Sequence, residues 1–209
     1  CMSFEEAAIL DPACNAYMAV VQEAKLMPGE YIAVFGVGAL GQFCIQAARA
    51  AGAAKILAIG LKADDKRFDL AIKNGATHVI RSDEEDCLKA VMRITKNEGV
   101  AVTADCAGVA PVVRQAIEIT RPAGTIVKIG YDHNPYNTSL DPIIDKAISL
   151  KGHFGYNWLS WRNVMNLVEA GKWDMEGMIS HRMNISQFRE AFDMVRRKES
   201  IKIILYPED

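Results

Sequence analysis

The sequence predicts an α/β protein, a doubly wound six-stranded parallel sheet followed by a C-terminal helix–strand extension. Three observations carry this. Short continuous apolar runs such as YIAVFG and KILAIG, bounded by turn residues, suit strands buried on both faces. Amphipathic helical segments alternate with them through short connections. The same rhythm then repeats in the second half of the chain.

Taken in order, Ser3 and Glu6 make a capping-box pair, and helical pattern runs from Phe4 to Leu10. Asp11-Pro12 should break it, because the residue before a proline is pushed out of the α region. A second helix is expected from Ala13 to about Ala24, with a turn at Pro28-Gly29 and the first strand at YIAVFG. Beyond it, Leu40, Phe43, Cys44, Ala47, Ala48 and Ala51 lie on one helical face. KILAIG is the second strand, Phe68 to Lys73 a helix stopped by Asn74-Gly75, and THVI the third strand. Cys87 to Lys96 reads as helix, VAVTADCAG as strand, and Pro111 to Thr120 as a helix with proline in its first turn. GTIVKIG and AISLKGHF (147–154) complete the sheet. In the tail, a helix from Leu159 to Ala170, a strand at MISHRM, a helix capped by Ser186 and a closing strand IKIILY have no place in that sheet.

Of the 209 residues half are hydrophobic, with 24 basic and 26 acidic side chains and a formal net charge of −2. That balance predicts a globular protein and gives no reason to expect nucleic acid or an anionic membrane as partner. No apolar run approaches the roughly eighteen residues of a membrane span. Cys1, Cys14, Cys44, Cys87 and Cys106 are scattered, without metal-ligand spacing. Reduced thiols in a cytoplasmic protein are the expectation.

The run GVGALG follows a buried strand and opens an amphipathic helix, the context in which a glycine-rich turn binds a dinucleotide. Gly36 permits the tight turn, Gly38 lets the backbone approach a pyrophosphate, and Gly41 lets the helix lie close to the strand. The helix start adds free N–H groups and about half a positive charge. An acid is usual at the end of the second strand, where it holds the adenosine ribose. Here Gly60 stands there, with Lys62, Lys66 and Arg67 beyond it. Loss of the carboxylate and gain of cations favour NADP over NAD, although Asp64 or Asp65 could reach the ribose from the loop.

FEEAAILDP, GVGALG, KNGATHVI, RPAGTIVKIG, ISHR and IKIIL, in this order and spacing, resemble the C-terminal part of the medium-chain dehydrogenase/reductases, the zinc-dependent alcohol, polyol and threonine dehydrogenase type. The resemblance covers essentially the whole chain. It implies a Rossmann fold at 13–155, a linker helix at 1–12 from an N-terminal catalytic domain outside this sequence, and an extension at 156–209 that packs beside the Rossmann domain or on the catalytic one. Asp11 matches an acidic zinc ligand whose partners lie in that other domain. Ala39 and Leu40 match residues against the pyrophosphate, with Leu40 also behind the nicotinamide. Cys106, Ala107, Ile129 and Gly130 match the lining of the nicotinamide pocket, and Lys202 a basic pyrophosphate contact. No catalytic residue is assigned, and His133, His153 and His181 read as structural. The loop after Gly60 is about two residues longer than in commoner relatives. The implied reaction is hydride transfer between NAD(P) and an alcohol or polyol carbon, in a homodimer or dimer-based tetramer joined through the sixth strand. A nucleotide-binding regulatory module and an S-adenosylmethionine-dependent methyltransferase, which also use such a turn, remain open.

Overall fold

A computed structural model describes residues 2–207, so Cys1 lies outside the described residues. Six parallel strands form the sheet: β1 (Tyr31–Phe35), β2 (Lys55–Gly60), β3 (His78–Arg81), β4 (Val100–Asp105), β5 (Thr120–Lys128) and β6 (Ser149–Gly152). Their order is β3-β2-β1-β4-β5-β6. The chain therefore reverses its direction of winding between β1 and β4, which opens a crevice at their carboxyl ends.

Alternate side chains of each strand serve opposite faces. Ile32, Val34, Ile56 and Ala58 join a core with helices α2 (Leu10–Tyr17), α3 (Ala39–Ala50) and α8 (Trp158–Glu169). Ala33, Phe35, Leu57 and Ile59 join the opposite core, under α5 (Cys87–Thr95) and α6 (Ala110–Ile119). Burial on both faces explains the unbroken apolar runs in the sequence.

Several boundaries differ from expectation. The first helix is Phe4–Ala8, with the Ser3–Glu6 capping box formed, and the break falls at Ile9 rather than at Asp11-Pro12. Pro12 sits in the first turn of α2, where its missing N–H costs nothing. The second helix begins at Leu10 and continues beyond Tyr17 as a wide π-helical segment, Met18–Glu23. Thr77 lies before β3, with its hydroxyl accepting from the Ile56 N–H at 2.9 Å. β5 starts four residues before GTIVKIG and carries a register shift against β4, with Ala123 at φ +57°. β6 is shorter than 147–154. A short helix not expected from the sequence, α7 (Asp141–Asp145), precedes β6.

The extension forms its own two-stranded parallel sheet from β7 (Ile179–Asn184) and β8 (Lys202–Tyr206). Asn184, not Ser186, caps the following turn, accepting from the Ser186 N–H at 3.0 Å. The extension is fixed to α3 by reciprocal bonds between Gln46 and the Asp174 backbone, and by Trp173 stacked on Phe43 with ring centroids 6.1 Å apart. On helix Phe188–Arg196 only Ala191 is buried, while Phe188, Phe192 and Val195 face outward.

Candidate functional site

The glycine turn joins β1 to α3 beside the crevice. Gly36 has φ +86°, a conformation that side-chain-bearing residues rarely adopt, and its N–H bonds the Ile59 carbonyl at 2.8 Å. At Gly41 a methyl group would run into the Gly36 carbonyl oxygen, so helix and turn are in direct backbone contact. Gly38 differs from both. It is the N-cap of α3 with φ −73°, and a methyl group there would meet nothing within 4 Å. The start of α3 thus lies open in front of Gly38, with no side chain capping it. Phosphate oxygens suit this cradle, because the first-turn amides have no partner within the helix. The residues present fit a dinucleotide.

Gln42 explains how the turn keeps its shape, and the sequence reading missed it. It is fully buried and its Nε2 donates to the carbonyls of Val37 (3.1 Å) and Arg67 (2.8 Å), while Asn74 donates to its Oε1 (2.9 Å). One amide therefore ties the glycine turn to helix α4 (Asp65–Asn74). A polar residue on the buried face directly after the third glycine was the available signal.

Across the crevice a second missed pair organises the loops after β4 and β5. Asp105 is 1% exposed; its Oδ1 accepts from the N–H of Ala107 (3.1 Å) and Gly108 (2.8 Å). Its Oδ2 pairs with Lys128 Nζ at 3.2 Å, and that ammonium also donates to the carbonyls of Gly130 (2.6 Å) and Gly108 (3.2 Å). The carboxylate and a neighbouring Tyr136 hold the Lys128 ammonium above its ordinary pKa against the opposing effect of burial, which is the largest single influence. Asp105 and Lys128 are register partners at the carboxyl ends of β4 and β5, and Asp105 is the lone charge of its strand. Together they fix Cys106, Ala107, Ile129 and Gly130 on one rim. Cys106 Sγ lies 3.5 Å from Cys44 Sγ of α3. Their contact and burial push the Cys106 thiol well above its usual pKa.

A cleft of about 560 Å³ runs between these elements, lined among others by Asp11, Ala39, Leu40, Ile129, His153 and Lys202. Lys202, on β8, is half-buried; burial lowers its pKa and the Asp11 charge pulls it partly back. Asp11 is exposed and accepts from Asn15 Nδ2 at 3.2 Å. His153 Nδ1 lies 2.7 Å from Glu23 Oε2, an anchor between β6 and the π-helical segment. Among the described residues, no group of three or more His, Cys, Asp or Glu could hold a metal ion. These residues alone do not fit a zinc centre, which needs three or four such ligands.

The adenosine end of the crevice looks different. Gly60 closes β2, and Lys62 is exposed, with Nζ 2.6 Å from Glu84. Arg67 turns inward, its guanidinium on Asp64 (3.3 Å) and on the Ser200 carbonyl (3.0 Å). The structure therefore brings Asp11, Ala39, Leu40, Ile129 and Lys202 to one cleft, sets Gly36 close against Ala107 and puts Cys106 against Cys44 of α3. Gly60, Lys62 and Arg67 lie at the end of β2, beyond the glycine turn.

Comparison with known proteins agrees with this geometry. The zinc-binding dehydrogenase family profile matches residues 39–170. A zinc-type alcohol dehydrogenase-like protein of Escherichia coli is 38% identical over 205 residues, 98% of this chain and 57% of its own length. L-threonine 3-dehydrogenase of Bacillus velezensis is 30% identical over 203 residues, covering 96% and 58%. Among solved structures, 2R,3R-butanediol dehydrogenase of Bacillus subtilis superposes with a TM-score of 0.89 at 29% identity, over 99% of this chain and 59% of that one. The chain thus spans a little over half the length of these relatives. With the turn, the strand order and the profile in agreement, the chain belongs to the zinc-binding dehydrogenase family.

Proposed function

We propose that this chain is the cofactor-binding part of an oxidoreductase that moves a hydride between NAD(P) and an alcohol or polyol carbon. The observation that carries the reading is the open cradle at Gly38, in front of uncapped amides at the start of α3 and at the switch point of the sheet. The alcohol, polyol and threonine dehydrogenases among the relatives support the reaction class.

The dinucleotide, when bound, supplies the hydride chemistry. The chain's residues bind and orient it. Backbone N–H groups of Ala39 and Leu40 take the pyrophosphate, and Lys202 adds a positive charge from the opposite wall. Leu40, Cys106, Ala107, Ile129 and Gly130 enclose the nicotinamide ring, with Asp105 and Lys128 holding that rim rigid. Zinc, where the whole protein holds it, draws at most one ligand from here, Asp11, and the remainder from outside the chain. Phe188, Phe192 and Val195 support a domain covering the extension, since an apolar helix face seeks a partner. β6 is one of the two edge strands of the sheet, with Leu150 exposed on it and Phe154 and Trp158 exposed just beyond it. That edge supports pairing of two copies into a homodimer or dimer-based tetramer. The four described cysteines are free, which supports a reducing, cytoplasmic setting, and no helix among the described residues is long and apolar enough to cross a membrane.

The test is a calorimetric titration of the protein with NADH and NADPH, followed by absorbance assays of the full-length protein on secondary alcohols and polyols. Binding of a dinucleotide with turnover of one of these substrates is expected. No binding of either dinucleotide at millimolar concentration would contradict the reading.

A further inference from the structure

We infer that Asp64 replaces the missing acid at the end of β2, and that the site therefore selects NAD over NADP, the reverse of the sequence expectation. The inference rests on the dinucleotide reading above and concerns only the adenosine ribose.

The space at Gly60 is already taken. A methyl group there would meet Phe68 Cζ at 3.1 Å, Val37 Cγ2 at 3.2 Å and Asp64 Oδ2 at 3.2 Å. An aspartate at position 60 would have to displace all three, and a carboxylate oxygen stands in that space instead. It arrives from a short 3-10 turn, Lys62–Asp64, whose extra length brings Asp64 back over the strand end. Val37 belongs to the glycine turn, so this oxygen lies beside the cradle itself.

The carboxylate is fixed rather than free. Its Oδ2 accepts from the Leu61 N–H at 3.1 Å, its Oδ1 from Arg67 Nη1 at 3.3 Å, and the Asp64 N–H closes the turn on the Leu61 carbonyl at 2.8 Å. Each carboxylate oxygen has a further lone pair. The ribose hydroxyls of NAD are donors that suit such an acceptor. A 2′-phosphate would bring negative charge against it.

Two of the three cations expected to receive that phosphate are engaged elsewhere. Lys62 pairs with Glu84, and its backbone N–H is held by Asp83 Oδ1 at 2.9 Å. Arg67 is divided between Asp64 and the Ser200 carbonyl. Lys66 is exposed, and Glu199 beyond it is already paired with Arg197 at 2.9 Å. Recruiting Lys62 or Arg67 to a 2′-phosphate means first breaking an existing pair.

Affinities for NADH and NADPH, measured on the same preparation at one ionic strength, test this. NADH should bind at least about tenfold more tightly, since a like-charge contact at a binding site costs a decade or more. Asp64→Asn keeps the shape and removes the charge; it should move the NADH/NADPH ratio toward NADPH by about tenfold. Asp65→Asn, at an exposed residue paired with Arg81, should leave the ratio unchanged. A wild-type preference for NADPH, or equal affinity for both, overturns the inference without needing any variant to fold. A folded Asp64→Asn protein with an unchanged ratio overturns it as well. Failure of both dinucleotides to bind overturns the underlying dinucleotide reading instead, and the inference with it.

Discussion

Gly38→Ala separates binding from folding at the centre of the site. With φ −73° at Gly38 and no atom within 4 Å of the added methyl, alanine fits the backbone without strain or clash. Alanine is a poorer N-cap than glycine, but it lowers the entropy of the unfolded chain. These effects oppose each other, so stability should stay within about 0.5 kcal/mol of the parent, a shift of roughly 2 °C in Tm. The methyl instead occupies the volume where a phosphate approaches the amides of α3. Loss of one charge-assisted hydrogen bond there costs about 1.5–3 kcal/mol, a factor of about ten to a hundred in Kd. Gly41→Ala gives the opposite outcome, because its methyl meets the Gly36 carbonyl, a backbone atom that cannot rotate away. That change should cost about 2–3 kcal/mol and lower Tm by about 5–10 °C. Calorimetric titration with a nicotinamide dinucleotide and thermal melting read both quantities. A folded Gly38→Ala protein that binds as tightly as the parent would refute the phosphate cradle.

Elsewhere in the site, Asp105→Ala leaves the Lys128 ammonium and two loop amides without their acceptor, so denaturant unfolding should show a loss of about 3 kcal/mol. Lys128→Met, at a partly exposed residue, should cost less, about 2 kcal/mol. Lys202→Met should weaken dinucleotide binding about tenfold, the value of one charge-assisted contact, with little change in Tm. Burial and neighbouring acids hold the thiols of Cys14 and Cys87 up at about 12. At pH 8 both are protonated, and mass spectrometry should find neither alkylated by iodoacetamide until the protein unfolds. Leu150→Lys puts a charge on the open edge of β6, and light scattering should show the dimer shifting toward monomer; a parent protein that is already monomeric would contradict the edge pairing.

What the sequence revealed follows from the range of the interactions involved. Strands such as YIAVFG and KILAIG were legible because burial on both faces leaves a local apolar run. The glycine turn was legible because its three constraints fall within six consecutive residues. Gln42 and the Asp105–Lys128 pair were not, since their partners come from distant segments that only the folded sheet brings together. The break at Ile9 was misplaced because Pro12 marks the beginning of a helix here as readily as the end of one. Gly60 illustrates the limit best. Its identity suggested a missing acid; the sequence offered Asp64 or Asp65 as substitutes from the loop, and only the folded strand end shows that Asp64 Oδ2 stands beside Gly60.

The most direct test of the account is a crystal structure of the protein soaked with NADH. Density for the pyrophosphate within about 3 Å of the amides at Ala39 and Leu40, in front of Gly38, is the expected result. Solvent alone at that position, or a dinucleotide bound elsewhere on the surface, would contradict it.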